Sequence, residues 1–146
     1  MRRFLFDTGV FIYALGGAHS YREPCRAILV EMRNGRLAGE ASIELIHEFA
    51  YMRQRRTATR THAAESARDV AMMCPLHRVD RADIKRALDL WCEHERLDMR
   101  DAIFAAQALN RDIDAIVSPD GDFDGIPGLE RIDPADAPAV ASLAAR

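Results

Sequence analysis

Short apolar runs alternate along this chain with longer stretches of helical periodicity. Phe4-Leu5-Phe6 is an apolar run that stops at an acid, Asp7, and it predicts a buried strand. Thr8 and Gly9 turn the chain into a short helix over residues 10–15, which Gly16 and Gly17 end. Residues 21–34 are helical, with Cys25, Ile28, Leu29 and Met32 on one side and Asn34-Gly35 as the stop. A weaker strand follows at 37–41. Ser42 then caps a helix to about residue 56, whose broad apolar face holds Ile43, Leu45, Ile46, Phe49, Ala50 and Met52. A helix over 59–73 stops before Pro75, and 76–79 reads as a short strand. Asp80 caps the next helix, with Asp83 at its third position and Ile84, Ala87, Leu88 and Trp91 as its packing face. Asp98 caps a further helix from 99 to about 111. Ala115-Ile116-Val117 is a second clear strand ending at Ser118-Pro119-Asp120, and 129–132 is a last short one. The Ala-rich tail after Pro138 reads as peripheral.

Strands separated by helices predict an α/β fold, with a mostly parallel sheet and helices on both faces. Ligands of such sheets bind outside the carboxyl ends of the strands. Asp7 and Asp120 both fall there, so topology alone brings two distant acids together. With no repeat, linker or low-complexity segment, the 146 residues read as one domain with an ordered core over about 1–134.

Composition removes several classes of function. No run of 18 apolar residues exists to span a membrane. The apolar stretch after the opening arginines is too short for a signal-peptide core. Cys25, Cys74 and Cys92 are odd in number and lack CxxC spacing, which predicts reduced, mostly buried thiols in a cytoplasmic protein. Cys92-Glu93-His94 has no second Cys/His pair to complete a zinc site. A net charge of −3 argues against nonspecific coating of nucleic acid, although local patches decide binding.

The chemistry sits in the acids. Asp7, Glu48, Asp101 and Asp120 are far apart in sequence, yet each adjoins an apolar run or an Ala-rich helix. Carboxylates in such places are costly unless something neutralises them, and a divalent cation does so. Each also has an ordinary explanation. Asp7 suits the cap of the first helix, and Asp101 the electropositive start of its own. Glu44 and Glu48 share a face, so either could be merely solvated. Asp120, Asp122 and Asp124, with Gly121 and Gly125, could be only a turn. DGDFDG lacks the later ligands of a calcium loop, and HEFAY has Tyr51 where a zinc protease needs its second histidine. Arg53, Arg55, Arg56 and Arg60 follow the Glu48 helix; they either complement its C-terminus or contact a phosphate or an acidic partner.

Together, FLFDTGVFI, ASIELIHEF, LDMRDAIFAAQAL and IVSPDGDF resemble the PIN-domain nucleases, and among them the VapC-type toxins of toxin–antitoxin pairs. The resemblance covers about 120 residues, in the family's order and spacing. It matches Asp7-Thr8 after the first strand and a helical Glu six residues after Ser42, which selects Glu48 over Glu44. It also matches Asp101 opening an Ala-rich helix, and Ser118 two before Asp120, followed by Asp122-Phe123. Pro119 departs from the pattern by stiffening that loop. The resemblance implies a three-layer α/β/α fold and cleavage of single-stranded RNA. It also implies a Mg²⁺ or Mn²⁺ site, a small VapB-type antitoxin that blocks it, and a homodimer. Asp7, Asp101 and Asp120 are the expected ligands. Glu48 would orient the attacking water or hold a second ion, and Thr8 and Ser118 would support the ligands or a phosphate oxygen. The alternatives are a PIN nuclease of RNA processing or repair without a toxin role, and a PIN-like module that only binds a partner.

Overall fold

The computed structural model describes residues 1–57 and 59–144. Its order is β1 (Arg3–Phe6), α1 (Thr8–Leu15), α2 (Arg22–Arg33), β2 (Ala38–Ser42), α3 (Ile43–Thr57), α4 (Arg60–Ala71), β3 (Leu76–His77), α5 (Arg81–Glu93), α6 (Met99–Asn110), β4 (Ala115–Val117), β5 (Glu130–Ile132) and α7 (Ala137–Ser142). The five strands form one sheet in the order β3-β2-β1-β4-β5, and every pair is parallel. β1 is therefore central and buried from both sides, which is why Phe4, Leu5 and Phe6 form an unbroken apolar run.

Alternation along β1 sends its side chains to two layers. The rings of Phe4 and Phe6 meet edge to face at 5.0 Å, and Phe6 meets Phe11 of α1 at 4.9 Å. Gly39 of β2 lies beneath these rings, and any Cβ there would collide with both. On the other face Arg3 donates to the carbonyl of Arg111, just beyond α6, and pairs with Glu40 of β2 at 2.6 Å. His77 of β3 approaches the same carboxylate at 2.6 Å. Arg3 and His77 hold Glu40 below the usual carboxylate range against its burial.

Asp83 fixes α5 to α6. Its carboxylate is almost fully buried and accepts from both terminal nitrogens of Arg111, at 2.8 and 2.9 Å, and from Asn110 at 3.0 Å. The expected capping box is present too: Asp83 N–H donates to Asp80, and Asp83 accepts from Asp80 N–H.

The tail after Pro138 is anchored at one point: Asp136 caps α7, which buries none of its own residues, while Leu143 is fully buried and its carbonyl accepts from Arg2 N–H at 3.0 Å. The last two residues lie outside the described part. One expectation needs correction: the thiols are not mostly buried. Cys25 is buried and Cys74 partly so, and burial pushes both up to about 12, but Cys92 is exposed.

Candidate active site

The chain leaves β1 at its carboxyl end and turns at once into α1. Asp7 N–H donates to the carbonyl of Val117 on the neighbouring strand, so the end of β1 is stitched to the end of β4. These strands lie on either side of the point where strand order reverses, where α/β sheets open a crevice. The Asp7 side chain caps α1 through Thr8 N–H at 2.8 Å, and its second oxygen accepts from the Ser118 hydroxyl at 2.6 Å. Ser118 Oγ in turn accepts from Asp120 N–H at 2.9 Å. Asp120 then caps the short 3-10 turn Gly121–Phe123 by accepting from Asp122 N–H. One hydroxyl, 111 positions from Asp7 in sequence, thus couples the first acid to the last.

Two helices bring the other acids. Ser42 ends β2 and accepts from Glu44 N–H at 3.1 Å, which starts α3 at the carboxyl edge of the sheet. Glu48 lies one turn further on. Its side chain is 14% exposed against 46% for Glu44, so the two glutamates differ sharply in setting. Asp98 caps α6 through Asp101 N–H at 2.9 Å and leaves the Asp101 carboxylate to face the sheet end.

The four carboxylates act on one another. Burial, with repulsion from Glu48 and Asp120, pushes Asp7 up to about 6 even though Ser118 and Thr8 N–H favour its charged form. Burial comes first for Asp101 as well; Asp7, Asp98, Asp120 and Glu48 then repel its charge, and it reaches about 8. Such mutual frustration is relieved by a cation. The donors are all oxygens, which suits Mg²⁺ or Mn²⁺ rather than zinc. Thr8 Oγ1 lies in the same place, buried and without a hydrogen-bond partner. The set therefore fits a hard divalent ion in charge and donor type. Among the described residues no three acids already stand close enough to grip one ion, because Asp7 is held by Ser118 and Glu48 by Arg100.

Arg100 was not anticipated. Its guanidinium pairs with Glu48 at 3.0 Å and with Asp98 at 3.5 Å. A cation in the first turn of a helix opposes the helix dipole. That misplaced charge in LDMRDAIF was the available signal. Pro119 touches the site from above: a Cβ on Gly9 would meet its ring at 3.3 Å, so the stiff loop rests on the start of α1. Asp122 pairs outward with Arg96 at 3.1 Å.

The arginine run divides. Arg53 turns inward and donates to the carbonyl of Leu15 at 2.9 Å, tying α3 to the end of α1. Arg55 lies over the Tyr51 ring, 5.8 Å from its centroid, and Arg56 is exposed.

The sequence matches the PIN domain over residues 4–129. The chain belongs to the PIN-domain family. Ribonuclease VapC7 of Mycobacterium tuberculosis is 33% identical over 95% of this chain and 96% of its own. VapC13 of the same species is 25% identical over 88% of this chain and 98% of its own. The fold is that of solved toxins. M. tuberculosis VapC20, a Sarcin-Ricin loop cleaving toxin, superposes with a TM-score of 0.70 at 16% identity, covering 82% of this chain and 92% of that one. VapBC2 of Rickettsia felis, bound to a DNA fragment from its promoter, gives 0.68 at 15%, covering 90% of this chain and 99% of that one. PIN-domain ribonucleases are metal-dependent.

Proposed function

We propose that this chain is an endoribonuclease dependent on Mg²⁺ or Mn²⁺ and the toxin of a toxin–antitoxin pair, with Asp7, Glu48, Asp101 and Asp120 as its catalytic acids. The observation that carries the reading is the Asp7–Ser118–Asp120 link at the carboxyl ends of β1 and β4, beside which Asp101 and Asp7 are raised by burial and by the neighbouring acids. Asp7, Asp101 and Asp120 would hold the ion, which when bound supplies Lewis-acid charge for hydrolysis of a phosphodiester. Ser118 fixes the orientation of Asp7. Arg100 holds Glu48 in place to orient the attacking water. Thr8 Oγ1 has a free donor for a ligand or phosphate oxygen. Arg55 and Arg56 provide positive charge for the backbone of single-stranded RNA.

A VapB-type antitoxin suits a cavity of about 520 Å³ between α1, α2 and the end of α4, which none of the four acids lines. Leu15, Leu29, Val30, Met72 and Met73 make it apolar, and Arg26 and Arg33 give it charge for an acidic amphipathic helix. A homodimer suits α5, whose exposed Ile84, Leu88 and Trp91 fall at i, i+4 and i+7 on one face.

Incubation with single-stranded and structured RNA in Mg²⁺, Mn²⁺ or EDTA tests the enzyme. Wild type should cut single strands only with metal, and Asp7→Asn should lower the rate by about two orders of magnitude or more. Cleavage that survives EDTA, or survives Asp7→Asn, would sink the assignment. Growth arrest on expression, relieved by a small co-expressed partner, tests the toxin role.

A further inference from the structure

Periodicity places Glu44, His47, Glu48 and Tyr51 on one face of α3, one and two turns apart, and Arg100, Ile103 and Phe104 on one face of α6. These two faces enclose a second cavity of about 210 Å³. An apolar cavity of roughly 150 Å³ already accepts a benzene ring, so this one has room for a flat heterocycle. Ile103 and the buried Phe104 give it an apolar wall. Tyr51 stands at its rim, 57% exposed, with its ring braced by Arg55. An exposed aromatic ring of this kind on a nuclease is a stacking surface for a base. The cavity shares a wall with the acid site, because the Arg100–Glu48 pair lines it. Glu44 supplies the remaining chemistry. It is half exposed, approached by His47 Nδ1 at 3.4 Å, and has no part in the acid cluster.

We infer that this α3–α6 cavity is a base-recognition subsite that takes a guanine next to the scissile phosphate, read by Glu44 and stacked by Tyr51. The proposal rests on the ribonuclease reading of the adjoining acids. A carboxylate offers two parallel acceptors, and guanine alone presents two adjacent donors, N1–H and N2–H, on its Watson–Crick edge. Uracil sets carbonyls on both sides of its single N–H, and adenine and cytosine each present a ring acceptor that a carboxylate repels. Phosphate itself is disfavoured beside Glu44 and Glu48, so the base enters and the backbone remains on the arginine side.

Two measurements separate this proposal from the reading it rests on. Binding of GMP, AMP, CMP and UMP to the whole chain is measured without any cleavage, followed by chemical shifts of Tyr51 and His47. Cleavage positions are mapped separately on a randomised single-stranded RNA pool. Wild type should bind GMP at least about 10-fold more tightly than the others and cut beside guanine. Glu44→Gln should erase that preference while the protein still cuts, and Tyr51→Ala should weaken all four nucleotides about 10-fold, with Tyr51→Phe restoring most of it. Tyr51 is exposed and Glu44 half exposed, so the variants should melt within a few degrees of wild type. Guanine binding without cleavage would remove the nuclease reading and leave the subsite. Cleavage with no guanine preference, or one that Glu44→Gln leaves intact, overturns the subsite. So does a Glu44→Gln or Tyr51→Ala variant whose only change is in partner or self-association.

Discussion

Asp101 shows how one residue can serve two ends. Its backbone N–H is used by the Asp98 cap, and its position in the first turn of α6 is electrostatically favourable. Its carboxylate is nevertheless raised to about 8 by burial and by the other acids. The folded state therefore holds a proton that the unfolded chain releases near pH 4. Stability without metal is full below that pH, falls as pH rises toward 8, and stays low above it, the reverse of an acid with a depressed value. Asp101→Asn removes the frustrated charge. At pH 8.5 in EDTA it should raise Tm by about 3 °C, on the scale of 1 kcal/mol, and at pH 4 it should change little. Metal reverses the order: millimolar Mg²⁺ or Mn²⁺ should raise the wild-type Tm more at pH 8.5 than at pH 5.5, and the variant should lose most of that rise. Equal shifts at both pH values, or none, would mean that the acids do not meet at one ion.

At the scale of elements, the helix pair α5–α6 hangs on a buried charge. Asp83 completes the capping box of α5 by accepting from Asp80 N–H, and it also accepts from Arg111, Asn110 and Gln107 at the end of α6. Its partners hold it well below the usual carboxylate range despite its burial. The stability it contributes is present above about pH 4 and is lost as pH falls toward its folded value. Asp83→Ala leaves Arg111 half-buried without its main partner, and urea denaturation should show a loss of about 3–5 kcal/mol. A loss below 1 kcal/mol would mean that water replaces the pair. The sequence located the elements through their caps and apolar runs, and the capping box Asp80–Asp83 was legible. The second role of Asp83 was not, because its partners sit 24 to 28 positions away and nothing local marks them. The site divides along the same line. Asp7 and Asp120 follow from strand ends. Arg100, the orphaned Thr8 hydroxyl and the inward turn of Arg53 depend on which helix lies opposite, and periodicity does not state that.

Across the whole molecule, the acid site faces the carboxyl edge of the sheet, while the apolar stripe of α5 lies on a helix that contributes no residue to it. Ile84, Leu88 and Trp91 are 38%, 46% and 48% exposed, a contiguous set that a lone surface helix would not ordinarily carry. The adjoining face of α5 is already committed, with Asp83 and Ala87 buried toward α6 and the core, so the stripe is not misplaced core. Self-association through a two-fold axis would bring two copies of the stripe together and make the interface isologous. Trp91→Arg places a charge at its centre and should convert a dimer to a monomer by light scattering at micromolar concentration. The fold should survive, since Trp91 is half exposed and its helix is fixed from the other side. RNA cleavage per chain then discriminates further. Each copy carries all four acids, so the monomer should retain metal-dependent cutting if the chemistry is complete within one chain. A monomeric wild type, or a Trp91→Arg protein that remains dimeric, would move the dimer to another surface.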